Sequence, residues 1–197
     1  MSREALVRAL ALHAGQPLTP EVGRAIVAML HPVQPIDCSR WAPQEWRGFT
    51  VAAEPWADTA ELDALHAAFH DEVGEPNDVD RSRLENLQRV GQLLSITARN
   101  TEGQLVGLLR AFIFTHHRTG KRIGCDDLFF IFPAHRGGLL AVRLARFTER
   151  CLADLGVEQA ELTMRLANDM GRIARFMKYQ PSVQRWTKAL TPPPSGA

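Results

Sequence analysis

The chain is poor in cysteine, close to electrically neutral and without a long apolar run, and each lack excludes something. Its 197 residues hold three cysteines, Cys38, Cys125 and Cys151. An odd, scattered set with no Cys-x-x-Cys pair builds neither a disulfide frame nor a zinc site, and predicts reduced thiols in a cytoplasm. A formal net charge of +1 gives no bulk attraction to nucleic acid or to an anionic membrane. No apolar segment approaches the roughly 20 residues needed to cross a bilayer. The start, Met-Ser-Arg-Glu-Ala-Leu, lacks the apolar core and cleavage site of a signal peptide. There is no internal repeat. What remains is an ordinary globular composition, 45% apolar and 23% charged, long enough to bury a core.

The pattern along the chain divides it. Residues 2–14 read as a short amphipathic helix carrying Leu6, Leu10 and Leu12, ended by Gly15-Gln-Pro17. Thr19-Pro20-Glu21 then supplies an N-cap, a first-turn proline and a first-turn acid for a second helix. Prolines 32, 35 and 43 mark a linker. These features predict a helical extension over 1–45, a domain over 46–191 and a tail over 192–197.

Within the domain, Phe49–Glu54 reads as a strand, Asp58 or Thr59 can cap a helix through Leu62, Leu65, Ala68 and Phe69, and a further helix runs over Asp80–Val90. Three strands come next, Leu93–Ala98, Leu105–Thr115 and Asp126–Phe132, joined by glycine-bearing turns that indicate an antiparallel meander. After a helix bearing Leu140, Leu144, Phe147, Cys151 and Leu155, the pattern gives a strand over Glu161–Arg165. A short helix over Asp169–Met177 and a strand over Val183–Leu190 complete it. The fold class is mixed α/β (α+β): a mostly antiparallel, twisted mixed sheet flanked by helices.

One segment points to chemistry. The apolar run Leu128–Pro133 is followed by Ala134-His-Arg-Gly-Gly138 and, without a gap, by a helix. A strand, glycine turn and helix in that order bring free backbone N–H groups and the positive end of a helix dipole to one point, which suits a phosphate or pyrophosphate.

That order, with Arg136-Gly-Gly-Leu-Leu-Ala141, resembles the GNAT superfamily of acetyl-CoA-dependent N-acyltransferases over roughly Phe49 to Leu190. The family signature is Arg/Gln-x-x-Gly-x-Gly/Ala; Arg136 and Ala141 match it, and Leu139 stands in place of the middle glycine. Asp126-Asp127 before Leu128–Pro133 is similar to the acidic-then-apolar fourth strand of that family. Asn168 falls where many members place an asparagine on the pantetheine arm. Met177-Lys-Tyr-Gln-Pro181 resembles the end of the family's last helix, with Lys178 for glycine. Among relatives, the likeness is greatest to proteins encoded by bacteriophages.

The resemblance implies acetyl-CoA as co-substrate and a primary amine, of a small molecule or a protein, as acceptor. The pyrophosphate would meet Arg136, Gly137, Gly138, Leu139, Leu140 and Ala141. The pantetheine would pair with the backbone of Phe130, Ile131 and Phe132 and with Asn168. Asp127, or Asp126 if a bulge shifts the register, would take the amine proton. Adjacent strand residues point to opposite faces, so only one of the two faces the cleft. His116 and His117 form a second candidate base, and Ala174 occupies the place of the family's acid tyrosine. Tyr179, the chain's one tyrosine, takes an aromatic core position. Metal binding is not expected, because His66 and His70 have no third ligand.

Leu139 leaves two readings: a cradle that still binds coenzyme A, or a catalytically silent fold serving as a structural or interaction protein, such as a virion component. The second implies a protein partner or homo-oligomer through residues 1–45. An acidic stretch, Asp71, Glu72, Glu75, Asp78 and Asp80, without Lys or Arg between Arg47 and Arg81, forms either a solvated loop or a rim suited to a cationic amine. Nucleic-acid binding through the arginine-rich helix is opposed by the near-zero charge and the lack of interleaved aromatics.

Overall fold

The computed structural model describes residues 3–17, 19–30, 34–74, 76–136, 138–163 and 171–181. Two helices, α1 (Arg3–Leu12) and α2 (Pro20–Leu30), pack against each other. Thr19 caps α2, its Oγ1 accepting from Val22 N at 3.3 Å. Six strands follow: β1 (Gln44–Trp46), β2 (Phe49–Ala53), β3 (Leu93–Arg99), β4 (Leu105–Thr115), β5 (Arg122–Ile131) and β6 (Gln159–Glu161). They form one sheet in chain order, antiparallel from β1 to β5 and parallel between β5 and β6. Helices α3 (Ala60–Val73) and α4 (Arg81–Arg89) join β2 to β3. Thr59 and Asp80 cap them through Leu62 N and Arg83 N. Helix α5 (Leu140–Asp154) crosses from β5 to β6, and α6 (Gly171–Phe176) follows.

The buried stripe of α5, Leu140, Leu144, Phe147 and Cys151, covers one face of the sheet against Leu94, Ile96, Leu109 and Ala111. On the other face Leu65 and Phe69 of α3 pack on Leu108, Leu128 and Phe130, while Leu84 of α4 meets Trp56 and Leu93. Each such side chain, taken fully out of water, contributes about 1.5–3 kcal/mol.

Two differences from the sequence expectations stand out. The segment read as linker up to Glu45 contains β1, paired with β2 through a two-residue turn in which Arg47 (φ 48°) and Gly48 (φ 80°) are both left-handed. That turn geometry matches strand twist, but Arg-Gly lacks the usual Asn-Gly signal and three residues give no alternation. β5 starts at Arg122, four residues before the expected Asp126, and β6 begins at Gln159 rather than Glu161. Asn168, the later part of Glu161–Arg165 and the expected strand Val183–Leu190 lie outside the described residues, and Gly171–Phe176 is the helix found inside Asp169–Met177.

A bulge interrupts β5. Arg110 pairs with Leu128 and Ala111 with Asp126, so Asp127 is the extra residue. Before the bulge Gly124 faces α5, where an added Cβ would lie 2.9 Å from Leu152. Beyond it Phe129 and Ile131 face α5, and Leu128 and Phe130 face α3. The α4–β3 turn is equally constrained. Gly91 has φ +67° and a Cβ there would collide with the backbone oxygen of Gln34. Gly91→Ala is therefore expected to cost about 2 kcal/mol or more, from strain plus collision. Gly103→Ala, also left-handed (φ +79°) but in open space, should cost only about 1 kcal/mol. Urea denaturation of the two variants separates the contributions.

Candidate active site

Among the described residues β5 and β6 pair over three residues only. Parallel pairing ends at Cys125 and Glu161, while β5 continues to Ile131. Just past that last pair, Thr163 N donates to the Asp126 carboxylate instead of to a β5 carbonyl. At the far end of β5 the chain makes a short 3-10 turn, Pro133–His135, and enters α5.

The N-terminus of α5 is uncapped. Its N-cap residue is Leu139, φ −108° and ψ 14°, with no side-chain hydrogen bond, and the first intrahelical bond runs from Arg143 N to Leu139 O at 2.9 Å. The N–H groups at this end have no intrahelical acceptor, and leucine is among the poorest N-caps. The Leu139 side chain is 47% exposed and lies outside the core, whereas Leu140 is fully buried. The left-handed Gly138 (φ +76°) lets the chain turn into the helix. Gly137 lies outside the described residues. So the Leu139 side chain neither caps the helix nor packs into the core.

Arg136 is held by the protein. Its Nε donates to Ile131 O at 2.6 Å, its Nη2 pairs with Glu72 of α3, and its guanidinium lies 5.0 Å from the Phe130 ring centre. It fastens the turn to α3. Of the β5 backbone expected to meet pantetheine, Phe132 N–H is already bonded to Val106 O at 3.0 Å and Ile131 C=O to Arg136.

The two aspartates face opposite sides. Asp126 lines a small cavity on the α5 side with Thr148, Glu149 and Tyr179. Asp127 turns toward α3, where its Oδ2 accepts from Arg110 Nε at 2.8 Å and Nη2 at 2.5 Å. Arg110 is 5% exposed, and its Nη1 meets Nε2 of His66, itself 4% exposed, at 3.0 Å. Burial first, and then the guanidinium, push the His66 imidazole down to about 4. The ring is neutral at pH 7, and Nε2 accepts the arginine proton. Half-buried Asp127 and buried Arg110 and His66 thus form one chain of bonds between β5, β4 and α3. Sequence reading missed Arg110 because nothing in an apolar strand marks which residue a bulge will bring opposite it.

The remaining candidates sort readily. His116 and His117 stack on each other, ring centres 5.0 Å apart, beside the β4–β5 turn, and His116 Nδ1 accepts from Arg118 N. Tyr179 is half-buried, and burial and a hydrogen bond to Glu149 raise its phenol above the ordinary range, so it stays protonated. Ala174 is buried. Cys151 is fully buried and burial pushes its thiol up to about 12, far from a reactive thiolate. In the acidic stretch, Glu72 holds Arg136 and Asp80 caps α4. A cavity of about 480 Å³ lies elsewhere, between the β2–α3 segment and α4; it is lined by Glu54, Trp56, Asp58, Glu85 and Gln88 and by none of the predicted site residues.

No family model and no curated protein sequence matches the chain. Solved structures do. An aminoglycoside acetyltransferase from an uncultured soil metagenomic sample superposes with a TM-score of 0.59 at 16% identity, over 73% of this chain and 99% of that one. The ribosomal-protein-alanine N-acetyltransferase of Brucella melitensis biovar Abortus 2308 gives 0.55 at 20% identity, over 73% and 98%. AAC(6')-Iy, solved with the bisubstrate analogue CoA-S-monomethyl-acetylneamine, gives 0.58 at 16%, over 72% and 99%. The fold is the GNAT fold. Nothing in these likenesses points to a phage origin. Among the described residues no helix is long and apolar enough to cross a membrane.

Proposed function

We propose that the chain is an N-acetyltransferase that moves an acetyl group from acetyl-CoA to a primary amine. The observation that carries this reading is the α5 N-terminus without a side-chain cap, reached directly from the end of β5 through a short turn. The N–H groups of Gly137 to Ala141 would receive the pyrophosphate, since backbone donors and the helix dipole both favour an anion there. Phe130 to Phe132 and Asn168 would line the pantetheine arm. Arg136 contributes by fixing the turn to α3 rather than by reaching for phosphate. Acetyl-CoA supplies a thioester activated toward amine attack.

Asp127 takes the proton of the attacking amine. Arg110 holds only Oδ2, which orients the carboxylate and leaves Oδ1 for the substrate. Tyr179 is engaged by Glu149, so the departing thiolate leaves with solvent as its proton source, as its pKa near that of cysteine allows. A thiol-release assay over amine, peptide and aminoglycoside panels tests the reading. Asp127→Asn should lower kcat on the order of a hundredfold and leave the KM for acetyl-CoA unchanged; an unchanged kcat would remove Asp127 from the chemistry.

The second reading, a GNAT-fold interaction protein, is favoured by one observation. Val7, Leu10 and Leu12 of α1 are each more than half exposed, a surface that suits a partner or a second copy of the chain. Loss of assembly on deleting residues 1–45, with no thiol release by the full chain, would favour it.

A further inference from the structure

Arg110 of β4 and His66 of α3 are buried together, where apolar side chains would fill the same space without desolvating a charge. The pairing calls for a reason beyond packing, and the contacts of the guanidinium supply one. The β5 bulge turns Asp127 to the face that carries Arg110. Arginine and carboxylate frequently meet as a fork, two N–H groups on two oxygens. Here Nε, at 2.8 Å, and Nη2, at 2.5 Å, both donate to Oδ2, and Oδ1 has no partner among the described residues.

What holds the guanidinium off the fork is its third contact, Nη1 to His66 Nε2 at 3.0 Å. Ser95, directly across from Arg110 on β3, has a buried hydroxyl that makes no hydrogen bond. Among the described residues Asp127 and His66 alone anchor the guanidinium. The charged and titratable groups around His66 are Arg110 of β4, Asp127 of β5 and, on α3 itself, Asp63 and His70. An arginine only donates, so Nε2 is bare and the ring proton sits on Nδ1. A protonated ring could not accept and would push the guanidinium away.

We propose that His66 is a positioning residue for the acetyl transfer: its bare Nε2 keeps Arg110 on one oxygen of Asp127 and so keeps Oδ1 open to the acceptor ammonium. This rests on the reading of Asp127 as the base. Without an acceptor at position 66 the guanidinium swings into the fork and takes both carboxylate oxygens. The ammonium proton then has no oxygen to go to, and the nitrogen lone pair is not released for attack on the thioester. His66 itself touches neither substrate nor cofactor. It acts through Arg110.

The first part of the test is a nitrogen NMR spectrum of the unmodified full chain with labelled histidines at neutral pH, His66→Gln serving to assign the signal. His66 should be the neutral Nδ1–H tautomer; the Nε2–H tautomer or a charged ring overturns the proposal. The second part compares His66→Leu with His66→Gln, which retains a carbonyl acceptor, in thiol release from acetyl-CoA with the fastest amine of the panel. Leucine should lower kcat about tenfold or more and leave the KM for acetyl-CoA unchanged, and glutamine should restore most of the rate. Equal kcat values in the two variants overturn the role of His66 and leave Asp127 as base, since Asp127→Asn reads that separately. The tautomer decides even if His66→Leu does not fold. No thiol release by the unmodified chain overturns the acetyl-transfer reading and the role of His66 with it.

Discussion

Leu139→Asp is expected to stabilise the protein and to weaken its binding of acetyl-CoA on the order of a hundredfold. The two changes have one origin. Leu139 occupies the N-cap of a 15-residue helix and makes no side-chain capping bond. An aspartate there would accept from a free N–H in the first turn and lie at the positive end of the dipole, a gain of about 1 kcal/mol. Its side chain would also occupy the donors that the pyrophosphate needs and set a fixed negative charge against it. Because the leucine is 47% exposed, the change leaves no core cavity to confuse the result. A thermal melt and a ligand titration of the same sample suffice. Stability and affinity rising together would show that the α5 N-terminus is not an anion site.

The second large effect is on stability against acid. His66 is neutral in the folded protein, its imidazole pushed from 6.5 to about 4 by burial and by Arg110. Below pH 6.5 the unfolded chain binds a proton at this position that the folded chain refuses. Stability is therefore full above about 6.5, falls as the pH drops, and stops falling from this source below about 4. The total is about 3 kcal/mol. His66→Gln can keep an acceptor for Arg110 without a titrating group, so the difference between the two proteins across pH 6.5 to 4 isolates His66 from the carboxylates. Parallel pH profiles would contradict the burial of a neutral imidazole against the guanidinium.

Much of the fold was legible because its elements carry local signals. Thr59, one of the two cap candidates beside Asp58, caps α3, Asp80 caps the helix expected to start there, and Leu140, Leu144, Phe147 and Cys151 form the stripe that buries α5. What escaped is what depends on pairing. The β1–β2 hairpin is too short to alternate, and Arg47 adopts a conformation that arginine does not advertise. Adjacent aspartates were expected on opposite faces and stand there, but the bulge that sets Asp127 opposite Arg110 is a property of two strands together. Likewise Arg136 could be read as a phosphate ligand from its motif, yet Glu72, 64 residues away in sequence, claims it. A motif gives the chemistry that a segment offers. Which side chains remain free to perform it is decided by distant residues.

Acetyl-CoA bound at the α5 N-terminus is the central claim. Isothermal titration of acetyl-CoA into the full chain is expected to give saturable binding at one site, with affinity on the order of micromolar. No heat and no thermal stabilisation at millimolar acetyl-CoA would contradict the central claim and leave a GNAT fold put to another use.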